Sequence, residues 1–192
     1  MLMEQMIRQN RSYRRFYQDY HIALDNLKYF VNLARLSPSA RNAQPLKYYI
    51  SNEPETNRTI FSALSWAGYL TDWEGPVDGE QPSGYIVILG DHALADDFFC
   101  DHGIAAQSML LGAVEKGFGG CIVASIDRER MHRELQLADQ YEILLVIALG
   151  KPRETVKVEN IERGGDIKYW RDDHQIHHVP KRKLEDIIVN LD

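Results

Sequence analysis

The chain has little cysteine and no long apolar segment, and both shortages narrow the classes of protein it can be. Its 192 residues include two cysteines, Cys100 and Cys121, without paired spacing such as C-x-x-C. We therefore expect neither a disulfide framework nor a thiolate zinc site, and a reducing cytoplasm is the natural compartment. The longest apolar run is ILLVIAL at 143–149, and the first ten residues carry Glu4 and no apolar stretch. We expect neither a spanning helix nor a signal peptide.

Positive charge is also in short supply. There are 22 Lys and Arg against 28 Asp and Glu, giving a formal net charge of −6. Such a chain is repelled by polyanions as a whole, so neither nucleic acid nor an anionic membrane is an expected partner. Against this background the string RQNRSYRRFY is unusual, because it gathers four arginines around Ser12: Arg8, Arg11, Arg14 and Arg15.

The core of that string, NRSYR, suits a monophosphate. An arginine fork pairs bidentately with phosphate oxygens, and a neighbouring hydroxyl such as that of Ser12 adds a hydrogen bond. On these residues alone, two other interpretations remain open. One is a surface patch of salt bridges, and the other is an RNA contact that uses Tyr13.

Hydrophobic periodicity predicts alternating helices and strands in one domain over 1–192. The first half reads as a helix between residues 21 and 37 that ends before Pro38, a strand at KYYISN, a helix over about 55–70, a loop at 75–83 and a buried strand at GYIVILGD. The second half reads as a helix buried nearly all round from Asp101 with Gly117 and Gly119 at its C-terminal cap, a strand at CIVASI, a short helix at DRERMHREL and a central strand at ILLVIALG. The tail from Lys151 is polar and broken, with a short amphipathic element at LEDIIVNL (184–191).

Several motifs suggest a specific chemistry, but the residues around them do not support it. GFGG at 117–120 follows a helix and precedes a strand, which is the wrong order for a dinucleotide-binding fingerprint. In HQIHH, His174, His177 and His178 stand near acidic residues, yet no further ligand motif supports them, so we predict a polar loop and no metal. Cys100 lies beside aromatics and suggests no nucleophile. No catalytic side chain is predicted.

The string SPSARNAQP offers more hydrogen-bonding groups than a plain helix-ending loop needs. Ser39, Asn42 and Gln44 carry hydroxyl and amide groups that can pair with the edge of a heterocycle. Pro38 and Pro45 restrict the backbone between them.

Taken in order, four strings resemble the FMN-dependent nitroreductase family: NRSYRRF, SPSARNAQP, DHGIAAQSMLLGAVEKGFGG and ALGKP. The likeness runs from about residue 8 to 150, and VPKRKLEDII is similar to the family's ending. It implies an α+β, nitroreductase-like fold with a central, mainly antiparallel sheet flanked by helices. It also implies a homodimer with FMN sites at the subunit interface, in which the tail (151–192) packs on the partner subunit.

The resemblance assigns cofactor contacts position by position. The basic motif would hold the FMN phosphate and ribityl chain, the proline-flanked loop would contact the flavin, and the turn over residues 119–122 would approach the ring closely. The implied FMN-binding residues are Asn10, Arg11, Ser12, Arg14, Pro38, Ser39, Ala40, Asn42, Gln44, Gly119, Gly120 and Arg182. Arg15 and Lys181 are weaker candidates.

The implied activity is an NAD(P)H-dependent FMN oxidoreductase that reduces a small aromatic, nitro or quinone-like acceptor by a ping-pong mechanism. The flavin supplies the redox chemistry, and the protein supplies binding and orientation. An FMN-binding module for storage or redox sensing, without turnover, is the alternative. Two departures from the family pattern, Leu46 in place of a frequent tryptophan and a short segment between Trp73 and Tyr85, suggest an open site.

Overall fold

A five-stranded antiparallel sheet organises the computed structural model, which describes residues 2–190. The spatial order is β1-β5-β3-β2, and β4 pairs with the same edge of the long strand β5 as β1 does. The strands are β1 (Phe16–Tyr17), β2 (Leu46–Ser51), β3 (Gly84–Asp91), β4 (Gly119–Val123) and β5 (Tyr141–Pro152). The predicted antiparallel sheet is confirmed.

Within the described residues, five helices flank this sheet: α1 (Met3–Gln9), α2 (Leu24–Arg35), α3 (Pro54–Ser62), α4 (Asp101–Glu115) and α5 (Arg128–Glu134). Every residue of β3 is buried, because alternate side chains enter two separate cores. Ile86 and Ile88 pack with α2 and α4, while Tyr85 and Val87 pack with residues of α3 and α5. A helical layer therefore covers each face of the sheet, as predicted.

The end of α4 places the next strand. Gly117 has a φ of 76°, and its N–H donates to Val114 while the N–H of Phe118 donates to Ala113. This is a Schellman cap, for which glycine suits the left-handed residue. Gly119 does not belong to the cap as predicted, because it already pairs within β4.

The predicted helix over about 55–70 is wrong in its second half. α3 ends at Ser62, and the following backbone bonds to the end of the β4 segment instead. The N–H of Ser65 donates to Ser125, and Leu64 forms an isolated bridge with Ile126. This pairing with a distant segment outweighs the local helix propensity. α1 was not predicted.

The tail is ordered where the sequence suggested a broken segment. It forms a second, three-stranded sheet of β6 (Val156–Ile161), β8 (His177–Arg182) and β7 (Trp170–Arg171), with β6 parallel and β7 antiparallel to β8. Its residues contact the rest of the same chain: Tyr169 packs against one of the two cores, and the guanidinium of Arg171 lies 4.3 Å from the centre of the Trp73 ring.

The predicted amphipathic element at 184–191 is reduced to a single 3-10 turn over Leu184–Asp186, and its last residue lies outside the described part. Exchange of tails between subunits stays a prediction. Within residues 2–190, no helix combines the length and apolarity needed to cross a membrane.

Candidate functional site

A basic cavity of about 220 Å³ joins the arginine-rich segment to the tail. Its lining combines four residues predicted from the sequence with four from the tail: Asn10, Arg11, Ser12 and Arg14, then Tyr169, His177, Val179 and Lys181. The segment is held against β4, where the N–H of Tyr13 donates to the carbonyl of Gly120 at 3.0 Å. The sheet therefore fixes the arginines opposite β8.

Two of the four arginines are neutralised by carboxylates. Arg8 pairs with Glu4 on the exposed face of α1, at 2.7 Å. Arg15 makes two bonds of 2.5 Å to the largely buried Glu80, and this contact lowers the pKa of Glu80. Arg15, the weaker candidate, is thus engaged within the chain.

The other two arginines keep their charge available to the cavity. No carboxylate in the described chain lies within ion-pairing distance of Arg11, Arg14 or Lys181. Arg11 donates to the carbonyl of Ile7 at 2.7 Å, and its buried Nε has no hydrogen-bond partner within the described part of the chain. The Arg14 guanidinium lies 4.8 Å from the centre of the Tyr169 ring. Such a set of uncompensated cations favours an anion.

The buried carboxylate of Glu154 contacts both the basic segment and the tail. It accepts the backbone N–H of Arg14, and Arg171 donates to it at 3.0 Å. The side chains of Glu154 and Arg171 are 1% and 10% exposed. The guanidinium of Arg171 also covers the Trp73 ring at 4.3 Å. Glu154 therefore ties the tail to the basic segment.

Two adjacent histidines of β8 have opposite environments. His177 faces the cavity, and burial, with Arg14, Arg171 and His178 nearby, lowers its pKa to about 4. His178 lies between Glu159 at 2.7 Å and Asp172 at 3.2 Å, and these carboxylates raise its pKa. His177 is neutral at neutral pH. Among residues 2–190, no three His, Cys, Asp or Glu side chains are placed to hold a metal ion.

The tail supplies site residues that the sequence reasoning missed. His177 was noted only as a possible metal ligand, while Tyr169 and Val179 carried no signal. Of the two tail cations considered, Lys181 lines the cavity. Arg182 follows it on the strand, where successive side chains point to opposite faces. Its contact with a cofactor stays a prediction.

The predicted loop forms the wall of a separate cavity of about 150 Å³, lined by Ala34, Arg35, Ser37, Pro38, Ser39, Gln44, Leu46, Tyr48, Asp101 and Ala105. Asp101, which the sequence reasoning did not single out, organises this loop. Its carboxylate accepts the Ser39 hydroxyl at 2.6 Å and the Ala40 N–H at 2.9 Å. Burial and the charge of Asp101 raise the pKa of Tyr48 to about 12.

The loop backbone is strained. Arg41, Asn42 and Gln44 have φ values of 55°, 55° and 50°, which residues with a side chain rarely adopt. The N–H of Gln44 donates to the Ser39 hydroxyl at 2.9 Å, which helps to hold this conformation. Strained residues of this kind concentrate at binding and catalytic sites.

Gly119 and Gly120 lie inside strand β4, so the predicted turn over residues 119–122 is wrong. A Cβ on Gly120 would lie 2.7 Å from the carbonyl oxygen of Ala148, and one on Gly119 would lie 2.5 Å from the Tyr13 ring. The chain's own packing thus requires both glycines. Their approach to a flavin stays a prediction.

The sheet, its two helical layers and the basic cavity define an α+β domain with a candidate anion site. The sequence model of the nitroreductase family matches residues 7–73 and 82–151. The chain therefore belongs to the nitroreductase family.

Individual relatives are distant. The chain is 21% identical over 180 residues to "Putative NAD(P)H nitroreductase MhqN" of Bacillus subtilis, covering 77% of this chain and 87% of that protein. A nitroreductase family protein of Streptococcus pneumoniae superposes with a TM-score of 0.72 at 14% identity, covering 99% of this chain and 100% of that one. An FMN-dependent nitroreductase of Clostridium difficile superposes with a TM-score of 0.65 at 22% identity, covering 89% and 99%. At these identities the structural likeness supports the fold alone.

Proposed function

We propose that the protein is an FMN-dependent oxidoreductase that takes electrons from NAD(P)H and reduces a small aromatic, nitro or quinone-like acceptor. The observation that carries the proposal is the basic cavity, in a chain of this family. Among residues 2–190, no carboxylate lies within ion-pairing distance of Arg11, Arg14 or Lys181, although the whole chain carries a net charge of −6. A local excess of unpaired cations in an acidic protein is suited to a phosphate group.

The residues present fit the phosphate of FMN. Arg11 and Arg14 supply forked donors, Lys181 supplies a mobile ammonium, and Asn10 and Ser12 supply neutral hydrogen bonds. Arg11 lines the cavity, and its buried Nε is a donor without a partner among residues 2–190. Bound FMN supplies hydride acceptance and donation, so that NAD(P)H and the acceptor use the site in turn, in a ping-pong scheme.

The second cavity suits the edge of the flavin ring. Pro38, Ser39 and Gln44 line it, and Asp101 holds the backbone of the strained loop around Ala40 and Asn42. This wall and the basic cavity share no lining residue. The separation supports a homodimer in which the loop of one subunit reaches FMN held mainly by the other.

Titration of flavin-free protein with FMN, followed by flavin fluorescence, tests the binding assignment. Arg14→Gln removes a cation from the cavity, and Arg8→Gln is the matched control because Arg8 is exposed and already paired with Glu4. The loss of one charge-assisted hydrogen bond, about 1.5–3 kcal/mol, predicts binding weaker by about 10-fold to 150-fold for Arg14→Gln. The control should bind like the wild type. Equal affinities in all three proteins would refute the assignment.

A further inference from the structure

His177 occupies an unusual position for a histidine beside an anion cavity. It is 1% exposed, and its Nε2 lies 3.3 Å from Nη1 of Arg14. A guanidinium has only donors, so Nε2 must be the acceptor in this contact, and the ring proton resides on Nδ1. Nδ1 is buried and has no hydrogen-bond partner among the described residues. The imidazole is thus neutral, and its Nε2 lone pair accepts a hydrogen bond from Arg14, which also lines the anion cavity.

The charges facing this ring come from three elements. The N-terminal segment contributes Arg14 and, across the cavity, Arg11. On β7, Arg171 stands opposite His177 in register. On β8, His178 is adjacent and Lys181 lines the same cavity. The polar ring of Tyr169 lies 5.1 Å from the imidazole.

The nearby acid does not offset these cations at the imidazole. Glu154 is occupied by Arg171 and by the backbone N–H of Arg14. Burial of the ring, together with the positive field of these cations, keeps the imidazole neutral, in accord with its pKa of about 4. A dianion in the cavity weakens that field, because it offsets the charges of Arg14 and Lys181, and its oxygens offer hydrogen-bond acceptors that favour the protonated ring.

We propose that His177 is a proton-coupled ligand of the anion: when a phosphate enters the cavity, Arg14 turns from the imidazole to the phosphate, and Nε2 of His177 takes a proton from solvent and donates it in a hydrogen bond to a phosphate oxygen. The step transfers one proton and exchanges hydrogen bonds, and no bond between heavy atoms forms or breaks. The inference rests on the proposed function only for the identity of the natural anion, the FMN phosphate.

Isothermal titration calorimetry of flavin-free protein tests this coupling. Binding of sulfate and of FMN is measured at about pH 6, where His titrates, in buffers that differ in ionisation enthalpy. Sulfate has no titratable proton there, so any proton taken up on its binding enters the protein. We expect an uptake approaching one proton per site for wild type. The dissociation constant should also fall by up to about tenfold for each pH unit of acidification, the limit for one linked proton.

The His177→Gln variant keeps an acceptor near Arg14 but cannot titrate, so its uptake should fall close to zero with sulfate. His92→Gln is the matched control, because His92 is a partly exposed histidine paired with Glu142 on the surface. It should retain the uptake of wild type. NMR titration of the His177 ring in the wild-type chain, with and without sulfate, gives the same answer without any variant, and sulfate should raise the pKa of His177.

The two ligands separate this inference from the proposed function. Sulfate binding without proton uptake, or sulfate binding that leaves the pKa of His177 unchanged, would overturn the inference, and the flavin assignment would still stand if the protein binds FMN. Proton-coupled sulfate binding in a protein that does not bind FMN would support the inference and refute the flavin assignment. A cavity that binds neither ion would refute both.

Discussion

The buried ion pair of Glu154 with Arg171 is the joint between the basic segment and the tail, and Glu154→Ala tests its importance. The carboxylate is 1% exposed and accepts from two groups, Arg171 at 3.0 Å and the backbone N–H of Arg14. Removing it leaves the buried guanidinium of Arg171 near the like charges of Arg14 and Arg15, with only Glu80, which Arg15 already holds, as a nearby carboxylate.

The expected loss is large for one side chain. Breaking a buried ion pair by deleting one partner costs about 3–5 kcal/mol, because the remaining charge stays desolvated and unpaired. The unsatisfied N–H of Arg14 adds to the effect, although the two terms share one carboxylate and do not sum fully. Against a total stability of about 5–15 kcal/mol for a domain, this is a substantial fraction.

Urea unfolding of the two proteins measures the difference in free energy of unfolding. Glu55→Ala is the matched control, since it removes a carboxylate from the exposed pair with Arg58, a contact of 2.5 Å. An exposed pair of this kind contributes about 0–1 kcal/mol. If Glu154→Ala were within about 1 kcal/mol of the control, the joint would carry no more stability than a surface pair, and the reasoning would fail.

Two further predictions concern packing and pH. Gly120→Ala should lower the free energy of unfolding by about 1–3 kcal/mol, because the new methyl group would lie 2.7 Å from a backbone oxygen of β5. The control, Gly103→Ala, should be neutral or stabilising, because its added methyl group would meet no neighbouring heavy atom of the described residues within 4 Å. Equal effects of the two substitutions would refute the packing argument. Protonated His178 pairs with Glu159 and Asp172, and these carboxylates raise the pKa of His178 in the folded protein. The stabilisation from this contact is therefore complete below the pKa of the unfolded chain, about 6.5, and is lost as pH rises through the pKa of the folded protein. Urea unfolding should therefore show His178→Gln destabilised most in acid and least in alkali, and a deficit that grew with pH would contradict this sign.

The sequence predicted the elements whose pattern is local and strongly periodic. The strand β3 and the helix α4 were recognised because most of the side chains in them are small or apolar. The tail sheet was missed because β8 pairs in parallel with β6 across an intervening segment, and β7 is only two residues long. Pairings between distant polar strands leave no periodic trace in the sequence.

In the candidate site, too, the residues of a local motif were predicted and those placed by the fold of distant segments were not. Arg11 and Arg14 were predicted from a compact motif, but the sequence could not tell them from Arg15, whose partner Glu80 lies 65 residues away. His177 and Tyr169 reach the cavity only through the fold of the tail. Arg8 could have been set aside earlier, because Glu4 stands one helical turn before it.

Anaerobic absorbance spectroscopy of the purified protein reconstituted with FMN, before and after addition of NADH and then NADPH, tests the central claim most directly. The account predicts flavin bands that bleach with at least one of the two nucleotides on a catalytic timescale and return when a quinone or nitroaromatic is added. Flavin bands that persist with both nucleotides would contradict the reductase assignment and favour a binding or sensing role, while a protein that takes up no FMN would contradict the flavin site itself.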